Sequence, residues 1–215
     1  MKDLGTRFTR PGAFIAAMLA SGVQLSCANS DPFDRSTESV MTTGLVRYRI
    51  VDVRALYAGD IAVNDSGTVV GSNRPVDNST ARKVFAFNGG IQTPLGFGQG
   101  DEHVYAINNK GWAVGSGENG LTIYRDGKVE SFPELLGPQS VGRDINSHGD
   151  VAGAAVDAGS KTLQAILVGT GGVTRLGTLG GPGANALALN EQGQVAGVAD
   201  TGDTWGDRPV PNAFL

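Results

Sequence analysis

A ten-residue phrase occurs four times in this chain, and no other sequence feature limits the fold so tightly. It reads AVNDSGTVVG at 62–71, AINNKGWAVG at 106–115, DINSHGDVAG at 144–153 and ALNEQGQVAG at 188–197. Its asparagines, Asn64, Asn108, Asn146 and Asn190, are 44, 38 and 44 residues apart. A period of about 40 residues means a stacked or radially repeated architecture, because one such unit cannot bury its apolar face alone.

Each unit reads as four short strands. The first is apolar and ends at the asparagine, as in Val104-Tyr105-Ala106-Ile107. The second starts after the glycine, as in Trp112-Ala113-Val114. Asn-x-x-Gly between two apolar runs is hairpin chemistry: asparagine opens the turn through its side chain, and glycine takes the left-handed position that closes it. A third strand (Val84-Phe85-Ala86-Phe87, Leu121-Thr122-Ile123-Tyr124, Gln164-Ala165-Ile166-Leu167), a second glycine turn and a fourth strand follow. No apolar period of 3.6 lasts ten residues, so helix is not expected. Glycine, 33 of 215 residues, suits short strands joined by tight turns.

The fold class expected is therefore all-β: a propeller-like array of four-stranded antiparallel meanders, four units, over residues 46–215. The last unit ends at Asn212-Ala213-Phe214-Leu215, which aligns with a third strand, while Tyr48–Val53 precedes the first unit in the place of a fourth. Two readings stay open. The amino-terminal strand completes the last blade and closes a ring, or the chain is a longer array cut mid-blade. An unclosed ring leaves an unpaired sheet edge.

Ahead of the repeats, residues 1–28 have the form of a signal peptide. Lys2, Arg7 and Arg10 precede the apolar run 13–25, and Ser26-Cys27-Ala28 offers small residues for cleavage before Asn29. Cys27 is the only cysteine, and a lipid anchor there is the alternative. Lipoprotein signals usually carry leucine at −3, whereas here Leu25 stands at −2. Residues 29–45 read as a flexible polar linker. The expected location is extracellular or periplasmic. No later segment is long and apolar enough for a transmembrane span. With a net charge of −4, a pI of about 5.1 and no basic stripe, nucleic acid is not an expected partner.

The Asn-x-x-Gly-x-Val-Ala/Val-Gly phrase, the Asn212-Ala213-Phe214-Leu215 strand and the segment Arg175-Leu176-Gly177-Thr178-Leu179-Gly180-Gly181 together resemble the HAF-type extracellular repeats of bacteria. The resemblance covers about residues 46–215 and is strongest in the third and fourth units. The histidine of the family's His-Ala-Phe strand is absent from every unit: Val84, Leu121 and Asn212 begin those strands. The resemblance implies an exported, propeller-like β-repeat protein and transfers no catalytic residue.

Chemistry is sparse. Gly115-Ser116-Gly117-Glu118-Asn119-Gly120 matches GxGxxG but leads into a strand, so no helix N-terminus is available for a pyrophosphate. His103 and His148, the two histidines, fall at opposite ends of the strands, which argues against a shared zinc site or a catalytic pair. No catalytic residue, resident metal or cofactor is assigned.

The longer, irregular connections share one face, and variable loops on a rigid scaffold are where binding resides. The binding candidates on that face are Asp101, Glu102, His103, Asp200, Asp203, Trp205 and Asp207. Its acids suit calcium in kind, although Asp200, Asp203 and Asp207 lack the EF-hand spacing. Arg143 and Asp144 break the pattern of the first strands, where other units have Tyr105-Ala106 and Leu187-Ala188, and are candidates to face a central channel. The expected function is a secreted binding or surface-interaction module for an extracellular glycan or protein. The alternatives are a carbohydrate-active enzyme with two carboxylates facing across a cleft and a truncated remnant of a longer repeat protein.

Overall fold

The computed structural model describes residues 51–53, 60–74, 81–206 and 208–215. The expected signal peptide, the linker, Cys27, Tyr48 and Asp207 lie outside the described residues. The chain divides into two units, Met1–Tyr57 and Ala58–Leu215. In the first, residues 51–53 are in no strand. The second unit carries the four repeats.

That unit is built from four antiparallel sheets in chain order. The first comprises β1 (Ile61–Val63), β2 (Val69–Asn73), β3 (Lys83–Asn88) and β4 (Ile91–Pro94). The second comprises β5 (His103–Ile107), β6 (Ala113–Gly117), β7 (Gly120–Arg125) and β8 (Lys128–Ser131). One helical turn, α1 (Pro133–Leu136), precedes the third sheet, with proline at its start where a missing N–H costs nothing. The third sheet comprises β9 (Val141–Ile145), β10 (Val151–Val156), β11 (Leu163–Gly169) and β12 (Gly172–Gly177). The last has three strands among the described residues: β13 (Gly180–Leu189), β14 (Val195–Trp205) and β15 (Arg208–Phe214).

The repeated phrase makes the same turn four times. In each, the glycine N–H donates to the asparagine carbonyl at 3.0–3.1 Å. The asparagine Oδ1 accepts the N–H four residues on, at 3.0, 3.0, 2.9 and 2.9 Å. The turn glycines have φ of 77, 80, 93 and 79°, the left-handed region open to glycine.

The same asparagines also join one unit to the next. Asn64 Nδ2 donates to the carbonyl of Asn108 (3.1 Å), Asn108 Nδ2 to that of Asn146 (2.8 Å), and Asn146 Nδ2 to that of Asn190 (3.4 Å). Asn64, Asn108 and Asn146 are buried, so these amides replace water that cannot reach them. Asn190 is exposed and turns its amide back onto Gln194 Oε1 at 2.6 Å.

The final glycine of the phrase has another reason. In three units the first strand carries one extra residue opposite the second strand, a β-bulge: Tyr105 in β5, Arg143 in β9 and Leu187 in β13. The bulged strand crowds its partner. A Cβ on Gly115, Gly153 or Gly197 would lie 1.9, 2.0 or 2.2 Å from the carbonyl oxygen of His103, Val141 or Asn185.

Apolar cores form between successive sheets. Val70, Val84, Val104 and Ala113 fill the first interface. Val114, Leu121, Ile123, Ile145, Val151 and Ile166 fill the second, with Leu136 of α1. Ala152, Ala165, Ala184, Ala186, Leu189 and Val195 fill the third. The first strands β1, β5, β9 and β13 neighbour one another in that order.

Candidate functional site

Two places collect the expected residues. The first is a polar row on the first strands. His103 begins β5, with Nδ1 2.8 Å from Asp60 Oδ2 and Nε2 3.4 Å from Asp101 Oδ2. Arg82 Nη1 lies 3.4 and 3.2 Å from those two ring nitrogens. The Tyr105 ring stacks on His103 at 5.8 Å, and the Arg143 guanidinium sits 4.3 Å over the Tyr105 ring. The bulges explain the row: Tyr105 and Arg143 are the inserted residues of neighbouring first strands, so both are turned out of the regular alternation.

Burial on its own would raise the Asp101 carboxyl, but the hydrogen bond from the Arg82 N–H and the charges of His103 and Arg82 together hold it below the ordinary value. Burial raises the Tyr105 phenol, against the pull of Arg143. Arg143 Nε is buried and has no hydrogen-bond partner.

This arrangement ties more than it reacts. Both ring nitrogens of His103 lie against carboxylates of neighbouring elements. Asp60 precedes β1 and His103 opens β5, so the contact bolts the first sheet to the second. Glu102, expected on a loop surface, is instead 1% exposed. It accepts Lys83 Nζ and the Val84 N–H, both at 3.0 Å, and fastens its loop to β3. A buried carboxylate with paired partners belongs to the framework. Asp144 reaches the next unit, where its Oδ2 accepts the N–H of Leu189 at 2.7 Å.

The second place is the β14–β15 hairpin. Residues 200–212, expected as a loop, are nearly all strand. Asp200 pairs with Pro211, Thr204 with Pro209 and Trp205 with Arg208. The polar run Asp200-Thr201-Gly202-Asp203-Thr204 hides this ribbon from any hydrophobic pattern. Trp205 stands at its tip, 88% exposed, beside an open groove lined by Gly206, Arg208, Pro209, Val210 and Pro211. Asp203 is exposed on the same ribbon, while Asp200 is half-buried beside Gly183. The other tryptophan is fully occupied. Trp112 lies between Lys110 and Arg125, 4.6 and 4.8 Å from its ring, and its Nε1 donates to Asp126 at 3.0 Å.

Among the described residues, no group of three or more His, Cys, Asp or Glu is arranged to hold a metal ion. No helix there is long and apolar enough to cross a membrane. His103 and His148 do not meet: His148 sits in the third phrase turn, 3.7 Å from Glu191. A scan against protein-family models matched none of them. A search among curated proteins found no significantly similar relative.

Proposed function

We propose that this protein is a secreted binding module, that its four sheets are successive blades of a propeller-like array, and that it grips its ligand with the β14–β15 hairpin. One observation carries the reading: Trp205, a large aromatic, stands 88% exposed at the tip of a two-stranded ribbon. Aromatic rings exposed on rigid elements contribute large contact area at little entropic cost. Pro209 and Pro211 stiffen the strand beside it. The resemblance to HAF-type extracellular repeats and the basic, apolar amino terminus support export.

The ligand class that fits is a neutral polysaccharide. A flat apolar ring with polar groups around it suits the C–H face of a sugar, and a chain of net charge −4 does not attract polyanions. Titration with neutral polysaccharides, followed by tryptophan fluorescence, is expected to show saturable binding. Trp205→Ala should weaken it at least about tenfold, or about 1.4 kcal/mol, with thermal stability unchanged. Equal binding by wild type and Trp205→Ala would remove the hairpin from the account.

A further inference from the structure

The bulges of the first strands allow a comparison within the chain. The inserted residue is Tyr105 in β5, Arg143 in β9 and Leu187 in β13, and these strands neighbour one another in that order. A leucine here needs no polar partner, and a tyrosine needs one for its hydroxyl alone. An arginine needs an acceptor, or water, for each N–H. Arg143 is half-buried, its guanidinium lies 4.3 Å over the Tyr105 ring, and its Nε is buried with no hydrogen-bond partner. An unpaired, buried donor on a charged group is a cost to the fold.

The acids nearby do not offset that cost. Asp144, the next residue, accepts the Ile145 N–H on Oδ1 at 2.9 Å and the Leu189 N–H on Oδ2 at 2.7 Å. Asp60 lies on His103 Nδ1, while Asp101 accepts the Arg82 N–H and lies beside His103 Nε2. Among the described residues, no carboxylate forms an ion pair with Arg143, whereas Arg82 and Lys83 each have one. Arg125 also has a buried Nε without a partner, but it shares Trp112 with Lys110 inside its own unit. Arg143 instead stands between strands of the two adjoining units. Tyr105 is on one side, and on the other is Leu187, 45% exposed.

We infer that Arg143 anchors a second binding site, on the line of first strands, and that its ligand carries a single carboxylate. A planar carboxylate matches the planar guanidinium fork and supplies the counter-charge that the described residues leave out. Tyr105 holds the guanidinium plane from one side, so the fork is set before the ligand arrives. The buried Nε edge keeps water from competing, which strengthens the pairing. One negative charge suits the place better than two. Asp60 and Asp101 flank His103, on which Tyr105 stacks, and they repel a dianion more than a monoanion. The site does not rest on the β14–β15 hairpin.

Nuclear magnetic resonance of the nitrogen-15-labelled full chain tests this, by titration with sodium acetate, sodium glucuronate and phosphate as its dianion. Ionic strength is held constant with chloride. The Arg143 Nε–H signal is identified by its loss in Arg143→Leu. It should shift saturably with both carboxylates, and with phosphate only at higher concentration. Tighter binding of glucuronate than of acetate points to a sugar acid as the source, and equal binding to a free carboxylate. Arg143→Leu, which places the β13 residue at the β9 bulge, should melt no lower than wild type in chloride. Arg143→Gln gives the same comparisons should the leucine variant fail to fold. Trp205→Ala should titrate as wild type, so failure of the hairpin reading leaves this site standing. Four results overturn the inference. They are an Arg143 signal that stays in place, β5 and β9 backbone signals that respond equally in wild type and variant, phosphate binding more tightly than either carboxylate, and a melting temperature well below wild type in both variants.

Discussion

At the scale of single residues, two kinds of glycine do unlike work. Gly127 has φ of 78° and empty space around it, so its need is purely conformational. Gly115 lies where the bulged β5 approaches, and a Cβ there would be 1.9 Å from the His103 carbonyl oxygen. Gly127→Ala should therefore cost about 1 kcal/mol. Gly115→Ala should cost about 3 kcal/mol, because backbone cannot yield as a flexible side chain does. Urea unfolding of the two variants checks the order, and equal losses would mean that the bulge can relax. The turn glycine and asparagine were legible in sequence because turn chemistry is local. The role of the strand glycine was not, since it depends on a bulge in another strand. The same holds for Tyr105 and Arg143. Arg143 stood out as a break in pattern, but its stacking on Tyr105 could be seen only once neighbouring first strands lay side by side.

At the scale of elements, side-chain ties join neighbouring sheets beyond the apolar cores. Asp60, Asp101, His103 and Arg82 bind the first sheet to the second. Glu191 accepts the Ser147 hydroxyl and N–H, binding the fourth turn to the third. The Ser147 hydroxyl and then its N–H hold Glu191 below the usual carboxylate range. Asp101 is lowered too, its hydrogen bond and nearby charges outweighing burial. A carboxyl with a lower pKa folded than unfolded adds stability that is complete above the unfolded value of about 4 and is lost as pH falls through the folded one. The melting temperature should therefore hold near pH 6 and drop below about pH 4, and Asp101→Asn should show a smaller acid drop. A melting temperature flat from pH 6 to pH 3 would mean that these ties carry no net stability. Strand assignments for the first three units followed readily from alternation and glycine turns. The outward extension of β14 and β15 over residues 200–211 did not, because its pairing partners are polar residues and prolines. Proline has no N–H to donate and belongs where its nitrogen faces away from the partner strand.

At the scale of the whole repeat unit, Ala58–Leu215 is a run of like sheets held together at one end by a hydrogen-bonded line of asparagines. The sequence period announced the units, and the structure adds how they are joined: each phrase folds its own turn and reaches the next. The relay has a direction, which is why its last member differs in burial and partner from the other three. That contrast yields the most direct test of the account. Denaturant unfolding should place Asn108→Ala about 2–3 kcal/mol below wild type, since it loses the bonds to Lys110 and Trp112 and the one to Asn146 at a buried site. Asn190→Ala should lose only about 1 kcal/mol, since its bonds to Gln192 and Gln194 are exposed and confined to its own turn. Equal losses at the two positions would contradict the relay and leave the four phrases as turns alone.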